Sequence, residues 1–260
     1  MFIDIDGVRI HYHRSGEGQD VVLLHGWGAN IQAFAPVHNN LENHFTVWSI
    51  DFPGFGESEE PPEPWTVGDY TELIRKLFVE LGIEQPVLVG HSFGGRVSIK
   101  YAAAYKTKKV ILVDSAGVKP KRKPSYYVKV YSYKALKRGL NLPFLRRYRD
   151  DILMKVKGRV GSSDYQQASG VMQQTMVKVV NEDLQHHMPH IHVPTLLVWG
   201  ENDEATPVSD GQVMEKAIPD AGLVVLKNAG HYAYLDQLQQ FLRILDHFLQ
   251  DEKEEGAANG

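Results

Sequence analysis

A mostly parallel, doubly wound α/β sheet with an inserted helical segment is the architecture this sequence predicts, and three observations carry it. Short apolar runs bounded by Gly, Asp or Pro recur along the chain, stretches with apolar residues three and four apart lie between them, and one segment, 119–190, interrupts the alternation. With 260 residues, 43% of them hydrophobic and 23% charged, the chain is long enough for one large domain, and its composition is unlike that of a disordered or coiled-coil protein.

The elements follow in order. Phe2, Ile3 and Ile5 alternate with Asp4 and Asp6, and Asp6-Gly7 precedes Val8, Ile10 and Tyr12, which predicts two antiparallel strands around a turn that needs positive φ. The runs Val21–Leu24, Thr46–Ile50, Val87–Gly90, Val110–Val113, Thr195–Trp199 and Leu223–Leu226 suit strands buried on both faces. Tyr70, Leu73, Ile74, Leu77 and Leu81 mark one helix, and Leu238, Phe241, Leu242, Leu245 and Leu249 another. The organisation expected is a core of residues 1–118 and 191–250, a helical cap at 119–190 and a tail at 251–260 with nothing to bury.

Composition removes several function classes. There is no cysteine, hence no disulfide, thiolate zinc site or cysteine nucleophile. The net charge of −4 gives the whole molecule no electrostatic reason to seek nucleic acid. No apolar run approaches the ~18 residues of a membrane span, and a cytoplasmic protein is the simplest reading. Charge is nonetheless uneven. Residues 119–159 hold 14 Lys or Arg against two acids, a local +12, while the remaining residues, 14 basic against 30 acidic, carry −16. A solvated face of amphipathic helices, an anionic substrate and an anionic membrane surface are all readings of that basic cap, whose Tyr126, Tyr127, Tyr131 and Tyr133 interleave with lysines.

Chemistry concentrates where strands end. Val87–Val89 runs into Gly90-His91-Ser92-Phe93-Gly94 and then a small-residue helix, the context in which a tight turn lifts a serine above a sheet. A serine hydroxyl needs a base, and the base needs an orienting acid. Both lie downstream: Glu201, Asp203 and Glu204 follow the run ending at Trp199, and His231 follows the run ending at Leu226. Asp114, after Val110–Val113, is a further candidate acid. His186, His187, His190 and His192 hint at a metal, but Pro189 breaks their helical spacing, so neither a metal nor a cofactor is expected.

These motifs, together with His25-Gly26-Trp27-Gly28, Asp51-Phe52-Pro53-Gly54-Phe55-Gly56 and Gly230-His231, resemble the helical-capped branch of the α/β-hydrolase superfamily over residues 1 to about 250. Leu238 departs from the proline often found there, although Asp236 fits. The resemblance implies Ser92 as nucleophile, His231 as base, Asp203 as the orienting acid and the backbone N–H groups of Trp27 and Phe93 as the oxyanion hole, with His25 bracing its loop. It implies hydrolysis of a carboxylic ester, thioester or lactone of a small-molecule substrate, anionic if the basic cap recognises it. Carbon–carbon bond hydrolysis of a dienoic diketoacid and ligand binding without turnover are the alternatives, and Arg96 is a candidate contact for the diketoacid.

Overall fold

The computed structural model describes residues 1–120, 131–132, 138, 140, 168 and 170–253. Strands β1 (Phe2–Ile5), β2 (Val8–Ser15), β3 (Asp20–Leu24), β4 (Thr46–Ile50), β5 (Val87–His91), β6 (Lys109–Val113), β7 (Thr195–Gly200) and β8 (Ala221–Leu226) form one sheet ordered β1-β2-β4-β3-β5-β6-β7-β8. The hairpin forms as predicted: β1 and β2 are antiparallel, with Asp6 at φ 53° and Gly7 at φ 78° in the turn. β2 is also antiparallel to β4, and every later pairing is parallel.

Alternation within strands sorts side chains into two cores. Val22, Leu24, Leu88, Val110, Leu112, Leu197 and Trp199 face one side, where Tyr70, Leu73, Ile74 and Leu77 of α2 (Val67–Leu81) and Val97 of α3 (Phe93–Ala102) cover them. Val21, Leu23, Val87, Val89, Ile111, Val113 and Val198 face the other, under α1 (Ala35–Leu41) and the helix Leu238–Phe248. The period of two thus decides which helix each strand residue meets. α2 opens with a reciprocal capping box between Thr66 and Asp69 and closes on Gly82 at φ 72°.

β8 differs from the fully buried strand its apolar run suggests. It lies at the sheet edge, and only Leu226 is buried along it. Residues 251–253 also depart from expectation, because they are helical and Glu252 is buried against Lys108 and Lys109. Residues 254–260, like Tyr126, Tyr127, Tyr133 and most of the basic segment, lie outside the described residues. Within 119–190 the helix α4 (Gly170–Asn181) packs on the core: a Cβ on Gly54 would sit 2.4 Å from the Met172 side chain, and the Trp65 N–H donates to Thr175 Oγ1 at 3.1 Å.

The chain turns from β3 outward to β4 and then back across to β5, so the carboxyl ends of β3 and β5 flank a reversal in strand order. In open α/β sheets that reversal opens the crevice where ligands bind. Trp27 follows β3 and Ser92 follows β5.

Candidate active site

Ser92 occupies the turn between β5 and α3 with φ 50° and ψ −105°, a region that costs an L-residue of order 1 to 3 kcal/mol. The neighbours make the turn feasible. A Cβ on Gly94 would lie 1.9 Å from the Leu24 carbonyl oxygen, and one on Gly90 would lie 2.6 Å from the Gly94 carbonyl oxygen, so neither position admits a side chain. The serine is half-buried at the N-terminus of α3, where helix N–H groups favour developing negative charge.

His231 Nε2 is 3.0 Å from Ser92 Oγ, and His231 Nδ1 is 2.8 Å from Asp203 Oδ2. The imidazole side chain is 24% exposed, leaving the hydroxyl approachable, while the Asp203 side chain is fully buried. Asp203 is well satisfied: Oδ1 accepts from the N–H groups of Ala205 at 2.8 Å and Thr206 at 3.0 Å, and the Thr206 hydroxyl is 2.7 Å from Oδ2. Burial opposes its charge, but the bonds from His231 and Thr206 outweigh burial and hold the carboxyl below its ordinary range. An ionised acid, an imidazole and a hydroxyl in this line can pass the serine proton to Nε2 while Nδ1–H stays on the carboxylate.

Glu201 and Glu204 are exposed and away from this line. Asp114 is fully buried, but its oxygens accept from the N–H groups of Gly200 and Ala233 instead of from His231. The rings of Trp27 and Phe93 meet at 5.4 Å, so the two residues expected to offer backbone N–H groups stand side by side at the ends of adjacent strands. Phe55 packs on Trp27 at 4.8 Å and Phe52 on Phe93 at 4.9 Å, giving that side an aromatic lining.

Two histidines brace the loops. His25 donates from Nδ1 to the Gly26 carbonyl at 2.7 Å and accepts the Phe52 N–H at Nε2 at 3.0 Å; burial lowers its pKa to about 4. His91 donates from Nε2 to the His231 carbonyl at 2.7 Å, and burial, reinforced by the neighbouring His231, lowers its pKa to about 3. His91 Nδ1 has no hydrogen-bond partner among the described residues and lies 2.8 Å from where a Cβ on Gly26 would stand. Neither His91 nor Thr206 stands out in the sequence: the first is the variable residue of the serine motif, and the second reveals its role only when its loop closes on Asp203.

His11 on β2 is bonded through Nδ1 to Asp51 Oδ2 at 2.8 Å. Arg96 is buried and donates from Nη1 to the Glu182 carbonyl at 2.8 Å, with burial lowering its pKa to about 10. His186 and His187 stack at 4.1 Å, and among the described residues no group of three or more His, Asp or Glu is placed to hold a metal.

A strained serine at a strand-to-helix turn, with an imidazole and a carboxylate in line with it on later loops of the same sheet, defines a class before any comparison. The family model describing the α/β hydrolase fold matches residues 21–238, and the chain belongs to that family of hydrolases. Among curated proteins it is 27% identical over 259 residues to a pimeloyl-[acyl-carrier protein] methyl ester esterase of Vibrio vulnificus, covering 92% of this chain and 97% of that protein. It is 28% identical to the dihydrolipoyllysine-residue acetyltransferase component of the acetoin cleaving system of Cupriavidus necator, covering 96% of this chain and 68% of that one. Among solved structures, an esterase from Exiguobacterium antarcticum superposes with a TM-score of 0.74 at 26% identity, covering 96% and 98% of the two chains. No described helix is long and apolar enough to cross a membrane.

Proposed function

We propose that the protein hydrolyses a carboxylic ester, thioester or lactone through an acyl-enzyme on Ser92. His231 takes the serine proton and returns it to the leaving group, Asp203 fixes the imidazole tautomer, and the backbone N–H groups of Trp27 and Phe93 hold the oxyanion. The observation that carries this reading is the Ser92 Oγ to His231 Nε2 distance of 3.0 Å, continued by 2.8 Å from Nδ1 to Asp203. The chemistry is complete without a cofactor, because nucleophile, base and charge stabilisation all come from the chain. The aromatic lining formed by Trp27, Phe55 and Phe93 suits an apolar acyl group of small or medium size, and residues 119–190 act as the cap that completes its pocket. The esterase names carried by the Vibrio and Exiguobacterium relatives agree with this choice.

The test is stoichiometric labelling by a fluorophosphonate, which reacts with activated serines, followed by intact-mass location of the adduct. Wild type takes one label on Ser92 and Ser92→Ala takes none, with kcat on activated esters falling about 10⁴- to 10⁶-fold in the variant. Equal turnover by the two proteins would sink the reading. A vinylogous diketoacid included in the substrate panel separates ester hydrolysis from carbon–carbon bond hydrolysis.

A further inference from the structure

We infer that the ionised carboxylate of Asp114 is a positioning residue that holds the acid-bearing loop after β7 and the histidine-bearing loop after β8 in register with each other. The inference rests on the hydrolase reading above. Asp114 directly follows β6, the strand between the one that presents Ser92 and the one that leads to Asp203. Its backbone takes φ 43°, a left-handed conformation that aspartate tolerates better than most residues, and its side chain is wholly buried. Oδ1 accepts the Gly200 N–H at 2.7 Å and Oδ2 accepts the Ala233 N–H at 2.9 Å. Gly200 is three residues before Asp203, and Ala233 is two residues after His231. One carboxylate therefore spans both loops, and its own carbonyl lies 2.9 Å from the Thr206 hydroxyl that also approaches Asp203.

Side chains within the loops also meet, Glu201 Oε2 accepting the Asn228 N–H at 3.2 Å and Thr206 Oγ1 lying 3.3 Å from His231 Nδ1, whereas Asp114 reaches both loops from a third strand. The backbone bond from Asn202 N–H to the Ala229 carbonyl, at 2.8 Å, also links them. His231 Nδ1 is already engaged by Asp203, so Asp114 does not serve as the acid itself. Its role is to fix the distance across which that bond forms, and misplacement of about 1 Å at such a point costs on the order of 10²-fold in rate.

The charge has few sources of support. The titratable groups facing Asp114 are Asp203 from the loop after β7, His231 from the loop after β8 and Tyr234 from the short helix Ala233–Asp236. Burial raises the carboxyl to about 7, the Gly200 and Ala233 N–H groups pull it back, and Asp203 adds like-charge repulsion. Protonation removes the charge that makes both N–H bonds strong.

The experiment follows fluorophosphonate labelling of Ser92 against pH and probe concentration in wild type and Asp114→Asn. An amide can accept from only one of the two N–H groups and turns its own NH₂ toward the other. The saturating rate of labelling is expected to fall about 10²-fold in the variant with the half-saturating probe concentration little changed, because the pocket is untouched. The acid limb of the wild-type profile is expected to show two ionisations, the imidazole and Asp114, and that of the variant only one. A variant that labels at the wild-type rate with the wild-type acid limb overturns the assignment. Should Asp114→Asn fail to accumulate as folded protein, the wild-type profile decides: two ionisations support the assignment and one overturns it. Failure of the underlying reading looks different, since Ser92 would then take no label in wild type at any pH, and the assignment would fall with it.

Discussion

Asp51 and Asp114 directly follow β4 and β6, both are buried, and each ties loops that carry candidate site residues, yet they are held by different means. Asp51 accepts the Ile31 N–H at 2.8 Å, the Glu57 N–H at 3.0 Å and His11 Nδ1 at 2.8 Å. A Cβ on Gly56 would fall 2.1 Å from its carboxylate, so the turn closes tightly over it. Asp114 has two backbone N–H groups and faces another carboxylate. The Trp27 side of the candidate site is thus fixed by an acid bonded to an imidazole as well as to backbone N–H groups, whereas the His231 side is fixed by an acid that relies on peptide dipoles. Burial alone does not set the character of a buried carboxylate; the partners it is buried with do.

The largest expected effect tests the His231 side directly. Asp203→Asn should lower kcat about 10⁴-fold while leaving the fold intact, because the amide favours the wrong imidazole tautomer; steady-state kinetics on an activated ester, with circular dichroism as control, measures it. On the Trp27 side the principal loss should be stability. Asp51→Ala removes the acceptor of the part-buried Ile31 and Glu57 N–H groups, at about 0.5 to 1.5 kcal/mol each, and should lower the urea midpoint accordingly.

A smaller effect separates the two sides through pH. His25 and His91, held neutral by burial at about 4 and about 3, protonate in the unfolded chain below 6.5, so the stability they contribute above 6.5 is lost as pH falls toward their folded values. Asp114, raised to about 7, works in the opposite direction: its contribution is fully present below 3.8 and is lost as pH rises through about 7. Between about pH 6 and 4.5 the three should leave a net loss of about 1.4 kcal/mol per unit of acidification, and Asp114→Asn should roughly double that slope in thermal melts, since one opposing proton disappears. The smallest effect concerns Leu238, the first residue of its helix, where proline is tolerated. Leu238→Pro should change stability by less than about 1 kcal/mol, and a larger loss would show that its half-buried side chain matters more than helix entry.

What was readable in the sequence was local. Asp6-Gly7 encodes its turn through the left-handed conformation it requires, Val87–Ser92–Ala102 encodes strand, elbow and helix within one window, and the chain order of Ser92, Asp203 and His231 encodes a shared sheet end. What stayed hidden depends on strands meeting. Asp114 sits 86 residues from Gly200 and 119 from Ala233, and no window of sequence places its oxygens between them. Leu223–Leu226 reads as a central strand because an apolar run does not record whether a ninth strand follows; in the folded sheet it lies at the edge. His11 similarly becomes a partner of Asp51 only once β2 lies against β4.

The φ of 50° at Ser92 carries one more consequence. Any L-residue there holds the turn in tension, which glycine alone relaxes. Ser92→Gly should therefore melt at a higher temperature than wild type, and higher than Ser92→Ala, while doing no chemistry. The protein would then be a case in which thermal endurance has been surrendered at a single position in return for a hydroxyl aimed at its target.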